Sequence, residues 1–312
     1  MGVEKKYQHL VPCVYMKQWN SRPPQKVKNS HSSVTFTYKY NKNNIYKDGE
    51  EVDIRTIGGK IDNYTVFEDS LCRTKEDIEK FLNGTKRILD IEDGFQEKME
   101  KRWTSIVSKI NNDINNNGCV TKKNKKSVNE FEKENIITFM TCMVYRAFNG
   151  IENYRKFAIQ AILNNNNLKW DIKLKLLKIL LYDEEIIKNL LLADMRKFLK
   201  KDDKSLIYTL SKFNSKNAQV IFMIVPEGYE FLTSDNPSIE CEMSAIDKGI
   251  KGKVHIMPIN TKVLAMLVKN DDMKKFKKWK INEDIVKNIN RLIVESSVEF
   301  IISSRKTIKE LI

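Results

Sequence analysis

Four residues of this sequence join a reactive side chain to a neighbourhood that would hold it still: His9, Glu100, Arg146 and Asp235. His9 stands in Tyr7-Gln8-His9-Leu10-Val11-Pro12, ahead of a proline-fixed bend. An oriented imidazole is suited to proton transfer near neutral pH. The competing reading is a ring that bonds a backbone carbonyl and pins this terminus to the body. Arg146 shares a helical face with Phe139, Cys142 and Met143, and a guanidinium withdrawn from water needs a carboxylate or an anionic ligand beside it. Glu100, three residues before Trp103 on the border of an apolar stripe, is one candidate partner. A structural ion pair and an anion site are both open.

Asp235 falls in Phe231-Leu232-Thr233-Ser234-Asp235-Asn236-Pro237, where an apolar strand gives way to a polar turn. A carboxylate at a strand end is placed for catalysis or metal binding. Asp-Asn-Pro is also sound turn chemistry, because an Asp side chain bonds backbone amides close to it, so Asn236 and Pro237 read as turn-forming neighbours. Asn290, between Ile289 and Leu292 on a helix that must face inward, reads as a core amide with its partners found.

Several chemistries lose their support. The three histidines, His9, His31 and His255, have no second His or Cys at metal-site spacing. Cys13, Cys72, Cys119, Cys142 and Cys241 include no CxxC pair, which fits reduced thiols better than a disulfide framework or a zinc knuckle. No GxGxxG, GxxxxGK[ST] or GxSxG occurs, removing the usual phosphate loops and the nucleophile elbow. A divalent metal at Asp235 stays possible.

The formal charge of +14 invites a nucleic-acid partner, since clustered cations displace counterions from a phosphate backbone. Only 10 of the 55 cationic residues are Arg, however. Lys is a hydrated point charge that sits on any solvated surface, whereas Arg is the residue of bidentate phosphate recognition. A composition bias towards Lys, Asn and Ile accounts for much of the charge. Lys274 to Lys280, with Phe276 and Trp279 interleaved, resembles a basic aromatic patch, although a solvated helix with snorkelling lysines explains it more simply.

The elements that must position these residues fall into three stretches, 1–90, 91–215 and 216–312, of one domain spanning 1–312. Val34 to Tyr40 is β-branched and aromatic and predicts a strand, with a short return at Ile45 and Tyr46. Phe95, Met99, Trp103, Ile106, Val107 and Ile110 recur at helical spacing. A buried helix follows over Val128 to Phe148, then helices over Glu152 to Leu163, Trp170 to Leu181, Glu184 to Leu199 and Ser205 to Phe213. Between the first two, Asn111 to Gly118 and Lys122 to Lys126 read as a flexible connection. Gln219 to Val225, Tyr229 to Leu232, Lys253 to Met257 and Val263 to Val268 predict strands of one sheet. A helix over Asn282 to Ser296 and a strand over Val298 to Ile302 close the chain. The expected fold is α+β, a mixed or antiparallel sheet of N- and C-terminal strands with a large helical block inserted between them.

The opening Met-Gly-Val-Glu-Lys-Lys lacks the apolar core of a secretory signal, and no apolar run reaches membrane-span length. A cytoplasmic protein without a membrane partner is expected.

His9 with Pro12 and the Met16 to Trp19 stretch, an acidic helix residue at Glu100, Arg146 late on an apolar helix, and the Ser234 to Pro237 turn come in a fixed order. Pro258, Asn290 and Ser303 extend the series. Together they resemble an uncharacterised bacterial family, domain of unknown function 4238, over nearly the whole chain. The family pattern has Gln where this chain has Met143, and a second Pro where it has Thr261. The resemblance implies that His9, Arg146 and Asp235 lean towards function and hints at bacterial antiviral defence.

The sequence thus leads to a hydrolase or nuclease acting on nucleotides or nucleic acid. In that reading His9 is acid or base, Arg146 holds an anionic group, and Asp235 orients a nucleophile or metal. The alternative is a non-catalytic nucleic-acid-binding or interaction protein, in which the same residues are structural.

Overall fold

The computed structural model describes residues 7–26, 33–61, 65–67, 87–115, 130–247, 252–268 and 278–312. Strand β1 (Tyr7–His9) leads into Pro12, whose carbonyl accepts from Tyr15 and Met16 and so opens the short helix α1 (Cys13–Met16). A 3-10 turn over Lys17–Trp19 continues it. Tyr15, Met16 and Trp19 are fully buried here. Their polar tips are satisfied across the core: Tyr15 donates to the Pro258 carbonyl at 2.9 Å and Trp19 to the Phe231 carbonyl at 2.8 Å.

Two sheets carry the frame. The first joins both ends of the chain: β4 (Phe36–Asn41) lies between β5 (Glu50–Asp53) and β15 (Phe300–Ser303), and β10 (Thr233–Ser234) closes it, all antiparallel. The second has the order β11 (Ile239–Glu242), β12 (Lys253–Pro258), β13 (Val263–Val268), β9 (Gln219–Ile224), β14 (Lys278–Lys280). Its pairs are antiparallel except β14, which runs parallel to β9. Smaller pairs join β1 to β6 (Gly59–Ile61), β2 (Gln25–Lys26) to β3 (Ser33–Val34), and β7 (Thr65–Phe67) to β8 (Arg87–Asp90). Gly59 is required where it stands, because a Cβ there would lie 2.5 Å from the Gln8 carbonyl.

Between the flanking strands runs the helical block: α2 (Ile91–Phe95), a π-helical turn at Gln96–Glu100, α3 (Lys101–Asn115), α4 (Glu130–Arg146), α5 (Gly150–Asn164), α6 (Trp170–Tyr182), α7 (Glu184–Leu199) and α8 (Leu206–Asn217). The later helix α9 (Glu283–Ser296) packs back on the sheets. Start signals are local: Asp183, Ser205 and Asn282 each accept an amide three residues on, which satisfies one of the donors a helix leaves open at its N-terminus.

Strand β13 explains the layering. All six residues are buried, as a strand covered on both faces must be. Val263, Ala265 and Leu267 pack with Trp103, Ile110, Phe139 and Met140 from α3 and α4, and Trp103 stacks on Phe139 at 3.9 Å. Leu264, Met266 and Val268 face Val286, Ile289 and Ile293 of α9. A third cluster, including Phe95, Tyr154, Ile187 and Leu191, holds the helical block together. Each such Ile, Leu or Phe contributes roughly 1.5–3 kcal/mol by leaving water.

The fold is therefore α+β, with strands from the two ends of the chain sharing a sheet. Local expectations are corrected in four places. Tyr229 to Leu232 is an extended connection, held by a bond from the Phe231 amide to the Thr261 carbonyl. Ile45 and Tyr46 lie in a turn, and the returning strand starts only at Glu50. Lys278 to Lys280 is a strand, not a helix, since pairing with β9 outweighs its helical spacing; Lys274 to Lys277 lie outside the described residues. The first helix continues through Asn111 to Asn115, while the rest of the expected connection also lies outside them. Among the described residues no helix is long and apolar enough to cross a membrane.

Candidate functional site

The four residues picked from the sequence occupy two structural junctions. Arg146, 2% exposed at the end of α4, lies 2.6 Å from Glu100 through Nη1 and donates from Nη2 to the His9 carbonyl at 2.8 Å. Its guanidinium also covers the Phe95 ring at 4.4 Å. The π-helical turn at Gln96–Glu100 joins α2 to α3, so that Phe95, just before it, and Glu100, its last residue, both meet the guanidinium. This junction ties β1 to the helical block. The His9 ring turns elsewhere: Nε2 is 3.3 Å from the Arg55 carbonyl, and Tyr7 meets the ring edge to face at 5.2 Å.

Asp235 forms the second junction. It is fully buried, and its carboxylate accepts from the Val298, Glu299 and Phe300 amides at 2.8, 2.5 and 3.1 Å. Burial raises its pKa above the ordinary carboxylate value, and the three amides pull the other way. Its own carbonyl takes the Phe148 amide at 3.2 Å, so the start of β15 and the end of α4 meet on one residue. The structure places Arg146 and His9 at one junction and Asp235 at the other. His9 Nε2 meets a backbone carbonyl, Arg146 meets Glu100, and each oxygen of Asp235 accepts at least one backbone amide.

Asn236 and Pro237 continue the buried turn, with Asn236 donating to the Ser296 carbonyl at 3.0 Å. Asn290 satisfies its whole amide: Oδ1 accepts from Leu232, and Nδ2 donates to the carbonyls of Glu230 and Leu311. Sequence reasoning missed Glu230, a buried carboxylate that takes both Ser303 and Ser304 hydroxyls at 2.5 Å.

A large open space lies elsewhere among the described residues. A groove of about 1440 Å³ runs between α4 and α5 on one side and β11, β12 and the end of α9 on the other. His255 stands in it on β12, with Nε2 2.7 Å from Ser238 Oγ, and Ser238 reaches the Met140 carbonyl at 2.9 Å. The Ser238 hydroxyl thus bridges the His255 ring and the Met140 carbonyl. Tyr145 and Phe157 bring aromatic surface, their centroids 6.1 Å apart. Of the lysines on this groove, Lys42 is bound to the Glu295 and Ser297 carbonyls and Lys253 lies 3.9 Å from Glu240. Lys156 is exposed and has no ion-pair partner among the described residues. Among the described residues no three His, Cys, Asp or Glu side chains gather as a metal site would require.

His255 had one legible signal. Alternation on β12 sends Val254 and Ile256 to the α9 side and Met257 to the α4 side. A histidine at 255 therefore shares the face of Met257, a polar ring where an apolar one is the rule. Its partner Ser238 precedes the neighbouring strand, a relation that spacing alone does not give.

Residues 7–307 match the model of a family described as "Protein of unknown function (DUF4238)". The chain belongs to that family. A search of the curated proteins gave no significant match, and neither did a search of the solved structures. The DUF4238 match spans both junctions and the groove.

Proposed function

We propose that this DUF4238 protein is a hydrolase that takes a nucleotide, or the end of a nucleic acid, into the groove and cleaves a phosphoester there. The carrying observation is the 2.7 Å contact of His255 with Ser238 inside an open groove. Ser238, held by Met140, fixes the ring. An imidazole so fixed is placed for proton transfer. The free ammonium of Lys156 supports an anionic substrate at the same groove. A part in antiviral defence belongs to the same proposal, because nucleotides and nucleic acid are what a multiplying phage consumes.

The test is release of phosphate or shortened strands from a panel of nucleotides and oligonucleotides, with and without divalent metals, by the wild type, His255→Asn and His9→Ala. Turnover lost about 100-fold or more in His255→Asn, and retained in His9→Ala, is the expected result. Equal turnover by all three proteins, or none from the wild type on any substrate, contradicts it. Salt-sensitive retention on DNA or RNA without turnover would favour the non-catalytic alternative.

A further inference from the structure

Helix α6 (Trp170–Tyr182) is apolar nearly all round, yet it lies on the outside of the helical block. It packs on α5 and α7, and the residues it turns from water form one narrow stripe, Lys173, Leu177 and Leu180. Lys173 is drawn inward by the Leu163 carbonyl, to which it donates at 2.8 Å. Ten of the thirteen residues of α6 are exposed, and seven of those ten are large and apolar. Trp170 at one end is 62% exposed and Tyr182 at the other 82%, with Leu174 and Leu181 open between them. Leu176 and Ile179 extend this surface into an apolar groove of about 450 Å³ that Ile162 and Leu190 help to wall. A helix apolar on every side is normally buried, and a contiguous apolar surface left open marks an interaction site.

Charge decides what covers it. Lys169, Lys175 and Lys178 are exposed on and just before α6, where Asp171 is the one acid. Past Tyr182 the sign reverses, with Glu184 and Glu185 exposed in the first turn of α7. None of these three lysines and two glutamates forms an ion pair among the described residues. Asp183, by contrast, is engaged as the cap of α7. An anionic lipid surface would attract the lysines and repel the glutamates within the same stretch of about 20 Å. Two copies laid parallel would set like charge on like. Laid antiparallel about a two-fold axis, they set the lysines of each copy against the glutamates of the other, the self-complementary arrangement a two-fold dimer requires.

We propose that α6 is the interface of a homodimer. A second copy of this chain covers it antiparallel, burying Trp170, Leu174, Leu181 and Tyr182 and pairing Lys169 and Lys175 with Glu184 and Glu185 of the second copy. No residue of α6 lines the His255 groove, so the dimer stands or falls apart from the hydrolase.

Sedimentation velocity of the full chain over a range of concentrations tests this. A species of twice the single-chain mass is expected, growing with concentration. Leu174→Gln with Leu181→Gln weakens the dimer about tenfold or more, each tenfold being about 1.4 kcal/mol. Both side chains are exposed, so the fold of the single chain is kept. Lys169→Glu with Lys175→Glu gives one protein with its cationic end reversed, and Glu184→Lys with Glu185→Lys gives another with its acidic end reversed. Each alone stays monomeric, and mixing the two restores a dimer, which a merely misfolded variant cannot do. A wild type that stays monomeric throughout overturns the proposal. So does a dimer indifferent to the leucine substitutions, or a mixture that stays monomeric. Flotation with phosphatidylglycerol vesicles completes the test: a monomer that floats with them overturns the dimer in favour of lipid.

Discussion

The Arg146 guanidinium meets the Glu100 carboxylate at 2.6 Å, and with its other arm it holds the carbonyl of His9. One buried cation thereby joins β1, the π-helical turn and α4. Removing the guanidinium leaves the partly buried Glu100 and the His9 carbonyl without their partner, which costs up to about 3 kcal/mol. Arg146→Ala is therefore expected to lower the urea midpoint strongly. Arg146→Lys should recover only part of the loss, because one ammonium cannot reproduce the planar fork that serves Glu100 and His9 together. Urea unfolding followed by circular dichroism checks both, and a midpoint unchanged in Arg146→Ala would contradict the junction.

Asp235→Ala leaves three backbone amides without their acceptor at the start of β15. At roughly 1–3 kcal/mol per unsatisfied buried group, a loss of several kcal/mol is expected. Asp235→Asn should be little better, because its NH2 would point at an N–H donor. Hydrogen exchange localises the effect: early exposure of residues 298–303 with an intact helical block is the expected pattern.

Burial pushes the Cys142 thiol up to about 12 and Cys241 up to about 11. A thiol titrating near 12 is about one part in a thousand thiolate at pH 9, and the thiolate is the reactive form. Alkylation of the native protein should thus leave Cys142 unlabelled at both pH 7 and pH 9. Peptide mass spectrometry after iodoacetamide measures this, and labelling of Cys142 that nears completion at pH 9, as for an ordinary thiol titrating at about 8.5, would place the thiol in a different environment.

The architecture was legible where burial imposes a period. The 3–4 spacing from Phe95 to Ile110 and the unbroken apolar run of β13 led to a helix and a doubly covered strand, and the strands near both ends do share a sheet. Lys278 to Lys280 was misread because its pairing with β9 depends on a partner some 56 residues away, between Lys278 and Phe222. The candidate site was less legible for a related reason. A buried His, Arg or Asp stands out in a sequence whether it anchors the fold or does chemistry, and the contacts of Arg146 and Asp235 tie elements together. His255 drew no attention because its significance comes from Ser238 on the chain before β11 and from a groove that α4 and α5 complete.

The central claim is that ligand enters between α4, α5 and the β11–β12 edge and not at the Arg146 junction. Hydrogen–deuterium exchange with and without the tightest nucleotide monophosphate tests it most directly. Slowed exchange confined to about residues 138–160, 236–242 and 253–257 is the predicted result. Protection centred on 7–9 and 95–100, with the groove segments unchanged, would contradict it.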